Sequence, residues 1–152
     1  MTQLVNEILK KTVLKTENIK FLQVREASGE SIHSPEVLAM MMKEEAKVDR
    51  ECLWVLHLNN SNRVIEKELV SMGTVNKAVV YPREIFKKAI IDGAVSIVTV
   101  HNHPGDQVQP SDDDRRLWEK LDSAGKILGV ETLDHLIVTP SGRYYSKKED
   151  GG

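Results

Sequence analysis

The sequence predicts an α/β domain built on a mixed β-sheet flanked by helices. Three observations predict it. Short runs rich in β-branched and large apolar residues alternate with stretches whose apolar residues recur at helical spacing. Two pairs of such runs are joined by short turn-forming segments, the pattern of antiparallel hairpins. A further run, residues 94–100, is reached through a helix, which allows it to lie parallel to a neighbour.

The elements follow in order. Leu4, Val5, Ile8 and Leu9 mark an amphipathic N-terminal helix, and Ile19 to Val24 reads as a strand. Ser34-Pro35-Glu36 opens a second helix, with Ser as the cap and Pro at the first position. Its inner face is Val37, Leu38, Met41 and Met42. Cys52 to Leu58 is a continuous apolar strand broken only by His57, and Asn59-Asn60-Ser61-Asn62 turns it back into a strand from Arg63 to Val70. Gly73 punctuates, Thr74 to Tyr81 reads as a third strand, and Pro82-Arg83-Glu84 starts a helix that Gly93 ends. After the strand at 94–100, Ser111 caps a helix with three acids in its first turn and Gly125 as its stop. Asp134 to Thr139, a turn at Pro140-Ser141-Gly142, and Arg143 to Ser146 form a terminal hairpin. The polar stretch 147–152 reads as a flexible tail.

Composition narrows the function classes. A chain of 152 residues fits one domain. The 21 Lys and Arg against 23 Asp and Glu leave a net charge of −2, with no basic block, so the footprint of a duplex-binding protein is missing. Cys52 is the sole cysteine, which excludes an intrachain disulfide. No apolar stretch approaches the ~20 residues of a membrane span, and no signal-peptide core is present, so the expected setting is cytoplasmic.

The chemistry is concentrated in His101-Asn102-His103-Pro104 and the Ser111-Asp112-Asp113-Asp114 that follows. Residues two apart at a strand exit point to the same face, so His101 and His103 can converge on one ion. Asp114, at a helix start, supplies a third ligand from a different element. Two His and one carboxylate are ligands that Zn²⁺ prefers, and three protein ligands leave a fourth position open, as catalytic sites require. Ser111-x-x-Asp114 is equally a capping-box pattern, so structure and chemistry can share these residues.

With the spacing His-x-His, seven residues, Ser-x-x-Asp in place, the chain resembles the JAMM/MPN+ metalloprotease superfamily. More narrowly it resembles the bacterial RadC family, through Gly73-Thr74, Pro82 to Lys87, His101 to Pro104, Pro110-Ser111, Ala124-Gly125, Leu128-Gly129 and Leu133 to Ile137. The family's loop carries a Ser after His-Pro, where this chain has Gly105. The resemblance implies a three-layer, cytidine-deaminase-like sandwich. It covers residues 34–146 as the JAMM domain, with residues 1–33 as a helix and strand of the same domain. The helix-hairpin-helix region of full-length relatives has no counterpart in those 33 residues, which implies a stand-alone JAMM-type domain or an excised one.

The resemblance also implies one Zn²⁺ per chain, held by His101, His103 and Asp114. It implies a general base at Glu51, with Glu84 in reserve, and an oxyanion contact from Ser111. The expected activity is hydrolysis of a peptide or isopeptide bond in an unidentified protein or peptide. The alternative is a repair- or replication-associated accessory protein that binds DNA or a repair partner without peptidase activity. Asn102 and Asp106 are candidates for orienting the ligands, His135 is a buried histidine or a support for the site, and His33 and His57 are structural.

Overall fold

The structure is a computed structural model that describes Gln3 and residues 31–73 and 80–151. The helix at Leu4 to Leu9, the strand at Ile19 to Val24 and residues 74–79 of the expected third strand lie outside the described residues.

Helix α1 (Pro35–Met41) is followed by a 3-10 turn (Glu45–Lys47), strands β1 (Cys52–Leu58) and β2 (Val64–Met72), and helix α2 (Pro82–Ile91). Strand β3 (Ser96–Asn102), helix α3 (Asp112–Leu128), strands β4 (Glu131–Val138) and β5 (Tyr144–Ser146), and helix α4 (Lys147–Gly151) complete the order. The five strands form one mixed sheet in the order β2-β1-β3-β4-β5. β3 pairs antiparallel with β1 and parallel with β4, and the crossover between the parallel strands is α3. Both expected hairpins are present, β1 with β2 and β4 with β5.

The sheet separates two cores, which makes the domain three-layered. Leu38, Met42 and Ala46 pack on Trp54, Leu56, Val98, Val100 and Leu136 on one face. Ile85, Phe86, Leu117 and Leu121 pack on Leu53, Val55 and Ile97 on the other. β1 and β3 are buried along their full length, which explains why both read as apolar runs and not as alternating patterns. The N-cap follows the sequence, Ser34 Oγ accepting from Val37 N at 3.3 Å, but α3 runs on through Gly125, the expected stop, and ends at Gly129 with a left-handed φ of 73°.

Two further segments differ from expectation. Val80 and Tyr81 are not in a strand; Tyr81 is instead the N-cap of α2, its backbone N–H donating to Glu84 Oε2 at 3.3 Å. Residues 147–151, read as a polar tail, wind into α4. Its start is held from a distance, as Lys148 N and Ser146 Oγ both donate to Asp134, at 3.0 and 2.6 Å. Tyr145 Oη adds a bond to Asp150 at 2.7 Å. Local pattern cannot show partners that come from another strand. Among the described residues no helix is long and apolar enough to cross a membrane.

Candidate metal centre

Strand alternation sets the site. His101 lies at the end of β3, opposite Leu53 of β1 and Ile137 of β4, and is buried. His103 N extends the ladder past the strand end by donating to Val138 O at 2.9 Å. The two imidazoles therefore share a face, with their Nε2 atoms 3.0 Å apart.

The third side chain arrives on α3. Its buried residues, Asp114, Leu117, Trp118, Leu121 and Gly125, fall on one helical stripe, and Asp114 heads that stripe with no exposure at all. Asp114 Oδ2 accepts from Ser111 N at 2.8 Å, and Ser111 Oγ accepts from Asp114 N at 3.0 Å, the reciprocal capping box. The other oxygen, Oδ1, faces His101 Nε2 at 3.2 Å. The cap thus engages one carboxylate oxygen, which also lies 3.7 Å from His103 Nε2, and aims the other at His101. Glu51, in the irregular link before β1, completes the group: Glu51, His101, His103 and Asp114 each bring a ligand atom within 4.8 Å of the rest.

The donor set suits a small divalent ion. Ligands about 2.0–2.1 Å from a tetrahedral zinc lie roughly 3.3 Å from one another. The separations here are 3.0 Å between the two Nε2 atoms, 3.2 Å from His101 Nε2 to Asp114 Oδ1, and 3.7 Å from His103 Nε2 to Asp114 Oδ2. His103 Nδ1 lies 2.6 Å from Gln107 O. A carbonyl only accepts, so Nδ1 carries the proton and Nε2 keeps its lone pair toward the site. Burial pulls the His103 pKa down, but Asp114, the Gln107 carbonyl and Glu51 outweigh it and hold the value above that of an ordinary histidine.

Behind the ligands, Trp118 contacts the His101 ring at 6.2 Å between centroids and stacks on His135 at 5.4 Å and Tyr145 at 6.0 Å. His135 bridges Thr99 Oγ1, at 2.6 Å from Nδ1, and Asp122 Oδ1, at 2.7 Å from Nε2. Burial pushes the Asp122 carboxyl up, but His135, Lys147 and Thr132 win and hold it below the usual carboxylate range. His135 is therefore linked to His101 through Trp118.

The loop after His103 is latched to the β4–β5 turn. Asp106 adopts a left-handed φ of 65°, a conformation Asp tolerates better than most residues. Its Oδ1 accepts from Ser141 N at 2.9 Å, and Arg143 Nη2 donates to its carbonyl at 2.6 Å and its Oδ2 at 3.0 Å. The bonds from Ser141, ahead of that from Arg143, lower the Asp106 pKa from 3.8 to about 2. A carboxylate with a depressed folded-state pKa contributes stability above its unfolded pKa and loses it as pH falls through the folded value. Wild type is therefore expected to lose the latch between about pH 4 and pH 2. Asp106→Asn should lack that component, which melting curves of both proteins across the range will show as convergence at the acid end.

The structure brings His101, His103, Asp114 and Glu51 together and places Ser111 at the cap beside them. Glu84 is not in the group; it caps α2. His57 is fully buried with its two ring nitrogens facing different carboxylates, Asp92 Oδ2 at 2.8 Å and Glu68 Oε2 at 3.2 Å. Glu66 also lies near His57 and Asp92 and pairs with Lys88. This network ties β1, β2 and the end of α2 together. No signal in the sequence joins His57 to Asp92, because the pair spans 35 residues.

Known proteins resemble this chain over most of its length. The family model described as RadC-like JAB domain matches residues 32–152. A "UPF0758 protein" of Chlorobium chlorochromatii is 49% identical over 102 residues, covering 67% of this chain and 46% of the relative. One of Methanosarcina acetivorans is 39% identical over 116 residues, covering 76% and 50%. One of Actinobacillus pleuropneumoniae is 37% identical over 150 residues, covering 98% and 66%. The chain thus spans about half the length of most of the curated relatives it matches. A family match over nearly the whole described fold, with the His-x-His and Ser-x-x-Asp residues assembled at one end of the central strand, makes this chain a member of the RadC-like JAB domain family.

Proposed function

We propose that this chain is a zinc-dependent hydrolase that cuts a peptide or isopeptide bond. The observation that carries the reading is the gathering of one buried and one half-buried imidazole and two carboxylates within 4.8 Å of one another at the end of β3. His101 Nε2, His103 Nε2 and Asp114 Oδ1 would hold the ion. When bound, zinc supplies a Lewis acid that polarises a carbonyl and brings the pKa of water to about 7.

The remaining steps belong to side chains. Glu51 is half-buried at the open side of the group, beside a surface groove lined by Asp49, Arg50, Gly73 and Pro104. Its carboxylate takes the proton of the attacking water and delivers it to the leaving nitrogen. Ser111 donates to the oxyanion that forms on the scissile carbonyl. Capping and oxyanion binding use different parts of this hydroxyl: the cap engages a lone pair of Ser111 Oγ and leaves its proton to donate.

The test is a proteomic search for species cleaved by wild type but not by Glu51→Gln, with metal content measured on both. Glu51→Gln is expected to keep its metal and to lose roughly 10²–10⁴-fold in hydrolysis, the range for removing a general base. Equal cleavage by both proteins, or loss of activity in Glu84→Gln alone, contradicts the assignment of the base.

A further inference from the structure

The middle residue of His101-Asn102-His103 takes no part in the chemistry above, yet it is fully buried. Alternation sends its side chain to the opposite face of β3 from the two imidazoles. There the carboxamide makes three hydrogen bonds to backbone. Asn102 Oδ1 accepts from Cys52 N at 2.7 Å, and Nδ2 donates to Arg50 O at 2.8 Å and Val48 O at 3.0 Å. Both amide protons and the carbonyl are engaged, and the isosteric Asp offers no such pair of donors.

These bonds bracket Glu51, which lies in irregular chain between the 3-10 turn and β1. Arg50 O is held on one side of it and Cys52 N on the other. A further backbone tie at this residue is Gly73 N donating to Glu51 O at 3.0 Å. A base carried on a loop needs such fixing, since a displacement of about 1 Å costs on the order of 10²-fold in rate.

We propose that Asn102 is a positioning residue: it locks residues 48–52 to the strand that carries His101 and His103, and thereby fixes the Glu51 carboxylate relative to the metal ligands. The inference rests on the reading of Glu51 as general base. The tripeptide then works as a unit, its outer residues ligating on one face of the strand and its middle residue clamping the base-bearing segment on the other.

The zinc-loaded full chain is the material for the test, as wild type, Asn102→Ala and Asn102→Asp. Cys52 is the sole cysteine, is buried, and carries one of the clamped N–H groups. Its reaction with 5,5′-dithiobis(2-nitrobenzoate) under native conditions therefore reports opening of this segment. Leu121→Ala, a core deletion on the other face of the sheet, is the control for general loss of stability, assayed equally far below its own melting midpoint. Labelling in the Asn102 variants is expected to exceed that control by roughly 10–100-fold, the effect of losing two or three buried hydrogen bonds. Bound zinc should stay near one per chain, and kcat should fall by about 10²-fold with KM unchanged.

Labelling no faster than the control overturns the clamp, and so does a rapidly exchanging Cys52 amide in wild type, a measurement that needs no variant. Faster labelling with full kcat overturns the positioning role. Full hydrolysis by Glu51→Gln overturns the general-base reading and the positioning role with it, while faster labelling would still support the clamp.

Discussion

Asp114→Asn is expected to abolish zinc binding while leaving α3 capped. The two oxygens of Asp114 have separate tasks: Oδ2 accepts from Ser111 N at 2.8 Å, and Oδ1 faces His101 Nε2 at 3.2 Å. An amide can still accept the Ser111 N–H through its carbonyl, but its NH₂ cannot ligate and the charge is gone. The metal-free variant should therefore melt close to metal-free wild type, within the roughly 0.5–2 kcal/mol that a cap is worth. The difference appears on adding zinc. An ion that binds only the folded state stabilises it by about 2.7 kcal/mol at a hundredfold excess over Kd. Thermal melts with and without zinc should show an upward shift for wild type and none for Asp114→Asn. An equal shift in both would mean that Asp114 is a cap and not a ligand.

Trp118→Ala is expected to cause the largest loss of stability among single substitutions at the site. The indole is 1% exposed and lies in a stack between His135 and Tyr145, with His101 beside it. Removing a buried Trp costs about 3–5 kcal/mol, and at this chain length that is a fall in melting temperature of roughly 6–20 °C. The loss should reach the metal as well. His101 packs on the indole, and groups that orient a ligand commonly carry 10–100-fold in metal affinity. Trp118→Phe keeps an aromatic ring in the stack and should recover much of both. A variant with lowered stability but undiminished zinc affinity would separate the stack from the site.

Much of this arrangement is legible in the sequence, for identifiable reasons. The run 94–100 reads as a buried strand because β3 is covered on both faces. His101 and His103 read as convergent because alternation is a local rule. Asp114 reads as a cap residue, and the cap is the device that places it. Glu51 is different: within its own segment it looks like a solvated charge, and only the family resemblance singles it out. Its position depends on bonds from Asn102, about 50 residues away in sequence. Asn102 itself reads as a loop residue, since nothing local shows that its amide meets the backbone of another strand. The same limit hides the His57–Asp92 pair and the Asp134 contacts that turn residues 147–151 into a helix.

Elemental analysis of purified wild type beside His101→Ala decides whether His101, His103 and Asp114 form one zinc centre. About one zinc per chain is expected in wild type and background levels in the variant, because removing one of three protein ligands from such a site leaves too few donors to retain the ion. Zinc retained undiminished in His101→Ala would contradict that centre.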